Sequence, residues 1–248
     1  MWYLVANLFL AHLLGDFYLQ SKDFCKEKRE KGWMSWTIYV HSAIIALLSW
    51  LMVWDIDAWW LALLIGVSHL LTDCTKSVVE TALIRRGKDR YILVSFIADQ
   101  IVHLTFMLIF ASLWLNYNQW SEFSWVISGL KGVLLFFAFL IACNPTNIFF
   151  NLVMQFCKVQ IGSDDSKNNV AFRAGALIGN LERILTIIFV VLGQYEVIGF
   201  LVVAKSILRF SEIKDGSDKA EYVLVGTLLS LTVAILLGLA VKYLLSIG

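Results

Sequence analysis

The four histidines of this 248-residue chain, His12, His41, His69 and His103, all fall within its first 103 residues, each inside an apolar run. Three have an aspartate four positions away: His12 with Asp16, His69 with Asp73, and His103 with Asp99. In a helix this spacing puts imidazole and carboxylate on one face, so each pair offers a nitrogen and an oxygen donor side by side. Groups this costly in lipid face a bundle interior or water and mark a site. Imidazole with carboxylate suits zinc, manganese or iron, and seven such groups exceed what one tetrahedral ion needs. The expectation is one or two divalent ions, with His12, Asp16, His41, His69, Asp73, Asp99 and His103 as metal ligands. Asp16, Asp73 and Asp99 are also the candidate catalytic groups, as ligands or as bases that accept the spare N–H of a ligating ring.

The second half supplies charge instead of histidine. Glu182 and Arg183 lie about ten residues into an apolar segment, and Lys205 and Arg209 share a face of the next one. Beside a metal such cations suit a phosphate group, so Glu182, Arg183, Lys205 and Arg209 are the candidate substrate-binding residues. For Lys205 and Arg209 the bland alternative is snorkelling at the membrane interface. Asn144 and Asn147, flanking Pro145, could line the same cavity or simply make a turn.

The elements that must position these groups are membrane helices. Hydrophobic residues make up 59% of the chain and charged ones 16%, below the roughly 25% of an ordinary soluble domain. The apolar segments, at about 2–20, 36–54, 58–80, 92–115, 125–143, 172–193, 196–210 and 220–246, have helix length rather than the alternating pattern of barrel strands. The expected fold is therefore all-α, a polytopic membrane helix bundle of about eight transmembrane helices. Residues 1–115 form a four-helix domain carrying the His/Asp cluster, and 116–248 a four-helix extension with an interfacial segment at 144–171. The N-terminal segment lacks a basic region and carries His12 and Asp16, so it reads as the first span and not as a cleaved signal. A net charge of +1 gives no basic field, so the partner is the lipid bilayer, with no nucleic acid expected. The four cysteines have no metal-ligand spacing and read as small apolar residues.

Lysine and arginine orient the chain, because cytoplasmic loops carry an excess of them. Lys22, Lys26, Lys28, Arg29 and Lys31 follow the first span, and Lys76, Arg85, Arg86, Lys88 and Arg90 surround the junction of the third and fourth. The opposite connections, Asp55 to Asp57, Asn116 to Ser124 and Gln194 to Glu196, have no lysine or arginine. Both termini are then outside, and the four histidines and three aspartates come out at a similar depth on the cytoplasmic side. The coincidence implies one cluster facing the cytoplasm.

This cluster points first to a metal-dependent hydrolase taking an anionic phosphoester or lipid-linked substrate, as a single chain or a homo-oligomer. A divalent-metal or proton-coupled transporter would use the same groups, but needs polar residues in the outer halves of the helices, where only Asn7, Ser49, Thr105 and Ser112 occur. A sensor or anchor for a soluble partner would keep the cluster as structural glue. Two haems need ligands at two depths, and these coincide.

The run from Leu10 to Gln20, the basic segment after it, His41, His69 with Asp73 and Lys76, and Asp99-Gln-Ile-Val-His103 together resemble bacterial membrane proteins grouped as domain of unknown function 3307. The resemblance covers roughly the first 110 to 115 residues. Gly175 to Arg183, Ala204 to Phe210 and Glu221-Tyr222 are similar to the carboxy-terminal extension of longer members. That family carries no defined activity, so the resemblance groups the residues without supplying a reaction. Its polar pattern is also similar to that of membrane-bound metal-dependent hydrolases, a likeness at the level of fold.

Overall fold

The computed structural model describes residues 2–117, 130–157, 169–210 and 217–247, and every element among them is a helix. Six stretches are long and apolar enough to cross a membrane: Trp36–Val53, Ile56–Arg85, Asp89–Tyr117, Leu134–Phe156, Gly175–Leu192 and Leu224–Ser246. The first expected span appears as a shorter apolar helix, Leu4–Leu19, and the seventh as the 16-residue helix Tyr195–Phe210. The chain is thus an all-helical membrane protein. It divides into two compact units, Met1–Trp125 and Val126–Gly248.

In the first unit, α1 (Trp2–Leu14), α3 (Trp36–Val53), α4 (Trp59–Arg85) and α5 (Ile92–Tyr117) close a ring: α1 packs on α3, α3 on α4, α4 on α5, and α5 back on α1. One half of this bundle is packed with apolar side chains, including Leu4, Leu8, Ile45, Leu61, Ile65, Met107 and Trp114. The other half carries the histidines and aspartates. The tryptophans bracket the bundle: Trp33 and Trp36 are exposed where α3 begins, Trp54 and Trp59 beyond its other end. Its 18 residues span about 27 Å at the helical rise, close to a hydrocarbon core about 30 Å thick, so the rings fall where interfacial aromatics sit.

Small residues bring the spans close. A Cβ on Gly66 would lie 2.8 Å from the Cβ of Ala46 and 3.3 Å from the Ser42 carbonyl, so α4 touches the backbone of α3 at this crossing. Gly15 similarly admits Ile45, and with Gly15–Leu19 the first span ends in a π-helical turn. Such turns add a residue to the coil and recur at functional sites; this one carries Asp16.

The basic segment after the first span is itself a helix, α2 (Lys22–Lys31), which its charge alone does not disclose. The Ser21 hydroxyl caps it by accepting from the Phe24 N–H at 3.2 Å, and Gly32, at φ +56°, turns the chain into α3. α2 packs on α3 and α4.

The second unit holds α6 (Leu130–Ala142), α7 (Asn144–Phe156), α8 (Asn169–Leu192), α9 (Tyr195–Phe210) and α10 (Ser217–Ile247). Pro145 lies in the first turn of α7, where its missing N–H costs nothing; the turn expected after it lies largely outside the described residues. α10 packs on α6, α7 and α8, around Ala138, Ala142, Ile187, Ala234 and Val241.

Gly66→Ala should destabilise the protein by about 1–3 kcal/mol, the range for overpacking a close contact. Gly132→Ala, whose added Cβ would meet nothing within 4 Å, is the matched control. Thermal unfolding in detergent checks this; equal midpoints for the two variants would mean that α3 and α4 are not in contact here.

Candidate metal centre

Each span of the first unit contributes to one buried cluster: His12 from α1, Asp16 from the π turn, His41 from α3, His69 and Asp73 from α4, Asp99 and His103 from α5. All four rings, Asp73 and Asp99 are at most 7% exposed, and the Asp16 side chain is 10% exposed. Spacing on separate helices thus becomes contact between helices, because α3 and α4 cross closely at Gly66, one turn from His69.

Four donor atoms converge. His41 Nε2 lies 3.0 Å from His69 Nε2, and Asp16 Oδ1 is 3.1 Å from the first and 3.3 Å from the second. Asp73 Oδ2 is 3.8 and 3.7 Å from the same two nitrogens. A tetrahedral ion with bonds of 2.0–2.2 Å has ligand–ligand edges of roughly 3.3–3.6 Å, so the two ring nitrogens stand from each other and from either carboxylate oxygen at nearly the separations that one bound cation would impose. A proton on either Nε2 can serve the other ring or Asp16, and a divalent cation would serve His41, His69 and Asp73 together.

The remaining groups extend the cluster. The His69 and His103 rings stack at 4.1 Å. His103 Nε2 is 3.3 Å from Asp99 Oδ1, yet poorly aligned, and neither atom has a hydrogen-bond partner. His12 is turned toward Gln100, with Nε2 3.2 Å from Oε1 and 3.7 Å from Asp16 Oδ2. The Gln100 amide donates onward to Asp99 Oδ2 at 3.1 Å.

Two lysines outside the set expected from the sequence complete the site. Lys28 donates to Asp73 Oδ2 at 2.5 Å and Lys76 to Asp99 Oδ2 at 2.7 Å. Lys28 is 8% exposed although its helix is strongly hydrophilic. Its placement is fixed by α4: the Ser77 hydroxyl donates to the Lys28 carbonyl at 2.7 Å, Thr81 to that of Arg29 at 3.1 Å, and Arg29 pairs with the buried Glu80 at 3.2 Å. Ser77, Thr81 and Glu80 alternate at helical spacing on one face of α4, beyond the last apolar turn, and that polar stripe is the legible signal. Nearby, burial raises the pKa of the Cys25 thiol, in keeping with a small apolar role.

Formally the three aspartates and two lysines leave one negative charge when the rings are neutral. One divalent ion with a bound hydroxide or monoanion would bring the cluster to zero.

In the second unit Glu182, Arg183 and Lys205 also come together. Lys205 pairs with Glu182, and with Thr186 and Ser230 these residues line a cavity of about 60 Å³. The Arg183 guanidinium is engaged on all sides. It donates to the Ala142 carbonyl, Ser230 (3.1 Å), Asn147 and Asn180 (2.6 Å) and lies over Phe150. It ties α6, α7, α8 and α10 together. The Arg209 side chain lies outside the described residues.

Lys28→Met should cost about 3–5 kcal/mol, since it strands a buried carboxylate, and adding Asp73→Asn should recover much of the loss. A double-mutant cycle of unfolding in detergent with chelator measures it. Additive losses would mean that the two side chains do not interact.

No curated protein and no solved structure matches the chain. One family does, over residues 4–129, just over half of the chain and a stretch that holds all seven histidines and aspartates of the cluster. The chain belongs to that family, described as protein of unknown function (DUF3307).

Proposed function

We propose that this protein is a membrane-embedded, metal-dependent hydrolase that acts from the cytoplasmic side on a phosphoester with a lipid-like part. The observation that carries the proposal is the meeting of His41 Nε2 and His69 Nε2 at 3.0 Å, with Asp16 Oδ1 at 3.1 and 3.3 Å and Asp73 Oδ2 at 3.8 and 3.7 Å from the two nitrogens. A divalent ion there, zinc, manganese or iron, would supply Lewis acidity and an acidified water as nucleophile. His41 and His69 would hold it with Asp16 and Asp73 on the oxygen side, and Lys28 fixes Asp73 while offsetting charge. Asp99, held through Oδ2 by Lys76 and Gln100, turns Oδ1 toward His103.

A groove of about 390 Å³ between α4 and α5 supports the substrate class. It is lined by Lys76 and Asp99, by Thr72 and Thr75, and by Leu71, Val79, Val102 and Phe106. Apolar walls around a lysine suit a chain-bearing substrate whose anionic head reaches the cluster. Lys76 is the anion contact in this reading, as four of the five Arg183 N–H groups already donate within the second unit. The lysine and arginine distribution favours eight crossings with both termini outside and the cluster toward the cytoplasm of a bacterial inner membrane.

Transport is disfavoured by the opposite half of the first unit. Asn7 and Ser49 are its buried polar side chains, and the Thr105 and Ser112 hydroxyls donate back to their own helix at 2.8 Å. A packed apolar core fills the path that an alternating site would need.

Elemental analysis of the full chain purified in detergent should find stoichiometric divalent metal, and His69→Ala should lose most of it. The same preparation should release phosphate from a lipid phosphomonoester in mixed micelles, with the variant at least about 100-fold slower, given the share of the barrier a metal ion carries. Metal-free wild type that regains none on dialysis against zinc or manganese would sink the proposal.

A further inference from the structure

We infer that the cluster holds two divalent ions, bridged by Asp16, and not one. This rests on the proposed metal site and deepens it. The four atoms that frame the first ion leave His12, Asp99 and His103 over, and the last two are anomalous within the cluster. Asp99 Oδ1 and His103 Nε2 are buried, each in a residue 4% exposed, and neither has a hydrogen-bond partner. An unpaired carboxylate oxygen facing an unpaired ring nitrogen in a membrane interior is expensive. A cation between them removes that cost for both.

The geometry supplies the rest of a site. A carboxylate oxygen of Asp16, one of Asp99 and a ring nitrogen of His103 lie within 4.8 Å of one another. Asp16 already places Oδ1 on His41 and His69, and the same carboxylate stands within reach of Asp99 and His103, so it serves both groups. Asp99 is oriented from behind, since Lys76 and Gln100 both donate to Oδ2, which leaves Oδ1 turned inward. His12 is bonded to Gln100 at 3.2 Å and lies beside the site as a positioning residue.

The spacing agrees with a bridged pair. His69 belongs to the first group and His103 to the second, and their rings stack at 4.1 Å with planes 20° apart. Rings this close can offer their nitrogens to two neighbouring ions. Paired ions in hydrolytic sites are roughly 3.5–4 Å apart. Such a pair clamps the attacking and leaving oxygens of a phosphoester, and two anionic oxygens offset the second ion's charge.

The test loads the full chain in detergent with Mn²⁺ alone and reads bound metal and the electron paramagnetic resonance spectrum. The expected result is two Mn²⁺ per chain with an exchange-coupled spectrum. His103→Ala should bind one, with the six-line signal of an isolated ion. If that variant does not fold, the wild-type stoichiometry and coupling decide by themselves. One Mn²⁺ per wild-type chain at saturation overturns the inference and leaves the single-ion site standing, as do two ions without coupling. No bound Mn²⁺ overturns both.

Discussion

The contact between Lys28 and Asp73 joins a water-exposed helix to the interior of a membrane bundle, and it shows the constraint that the first unit is built to meet. A carboxylate in a low-dielectric interior costs several kcal/mol unless a cation and further donors face it. Asp16, Asp73 and Asp99 are three within one cluster. The chain meets the cost by drawing cations inward: Lys28 from α2, Lys76 from the cluster's own helix. The docking of α2 through Ser77, Thr81 and Glu80 follows from the same need, since it delivers an ammonium group from outside the apolar core.

Compensation is incomplete in a way that points to chemistry. A purely structural polar cluster would pair each donor with an acceptor, as the Arg183 network of the second unit does with four acceptors. In the first unit Asp99 Oδ1 and His103 Nε2 are buried without a hydrogen-bond partner, and two ring nitrogens stand 3.0 Å apart. That contrast within one chain is what the proposed cation site rests on.

Much of this is legible in the sequence. The i, i+4 pairs and the lysine and arginine asymmetry are enough to place seven residues at one depth, because both signals rest on helix geometry and on membrane electrostatics, which act residue by residue. The Gly66 crossing is not legible, since which glycine touches which alanine is a property of two helices. Lys28 is legible only indirectly: charge in a short polar segment reads equally as loop or helix, and the polar stripe of α4 that buries it is the one signal. The π turn at Asp16 escapes for a related reason, as it answers to packing against Ile45. Arg183 stands out as too deep for a lipid-facing charge, but the four acceptors around it come from α6, α7, α8 and α10, and no local pattern announces them.

The dry half of the bundle carries its own consequence. From Leu4 and Leu8 through Leu61 and Ile65 to Trp114, side chains interlock without a row of hydroxyls or carboxylates between them. Protons moving along hydrogen-bonded chains would meet only Asn7 and Ser49 there, two isolated stepping stones in an apolar core. Seven ionisable groups can thus sit in a membrane bundle with a dry plug on one side of them.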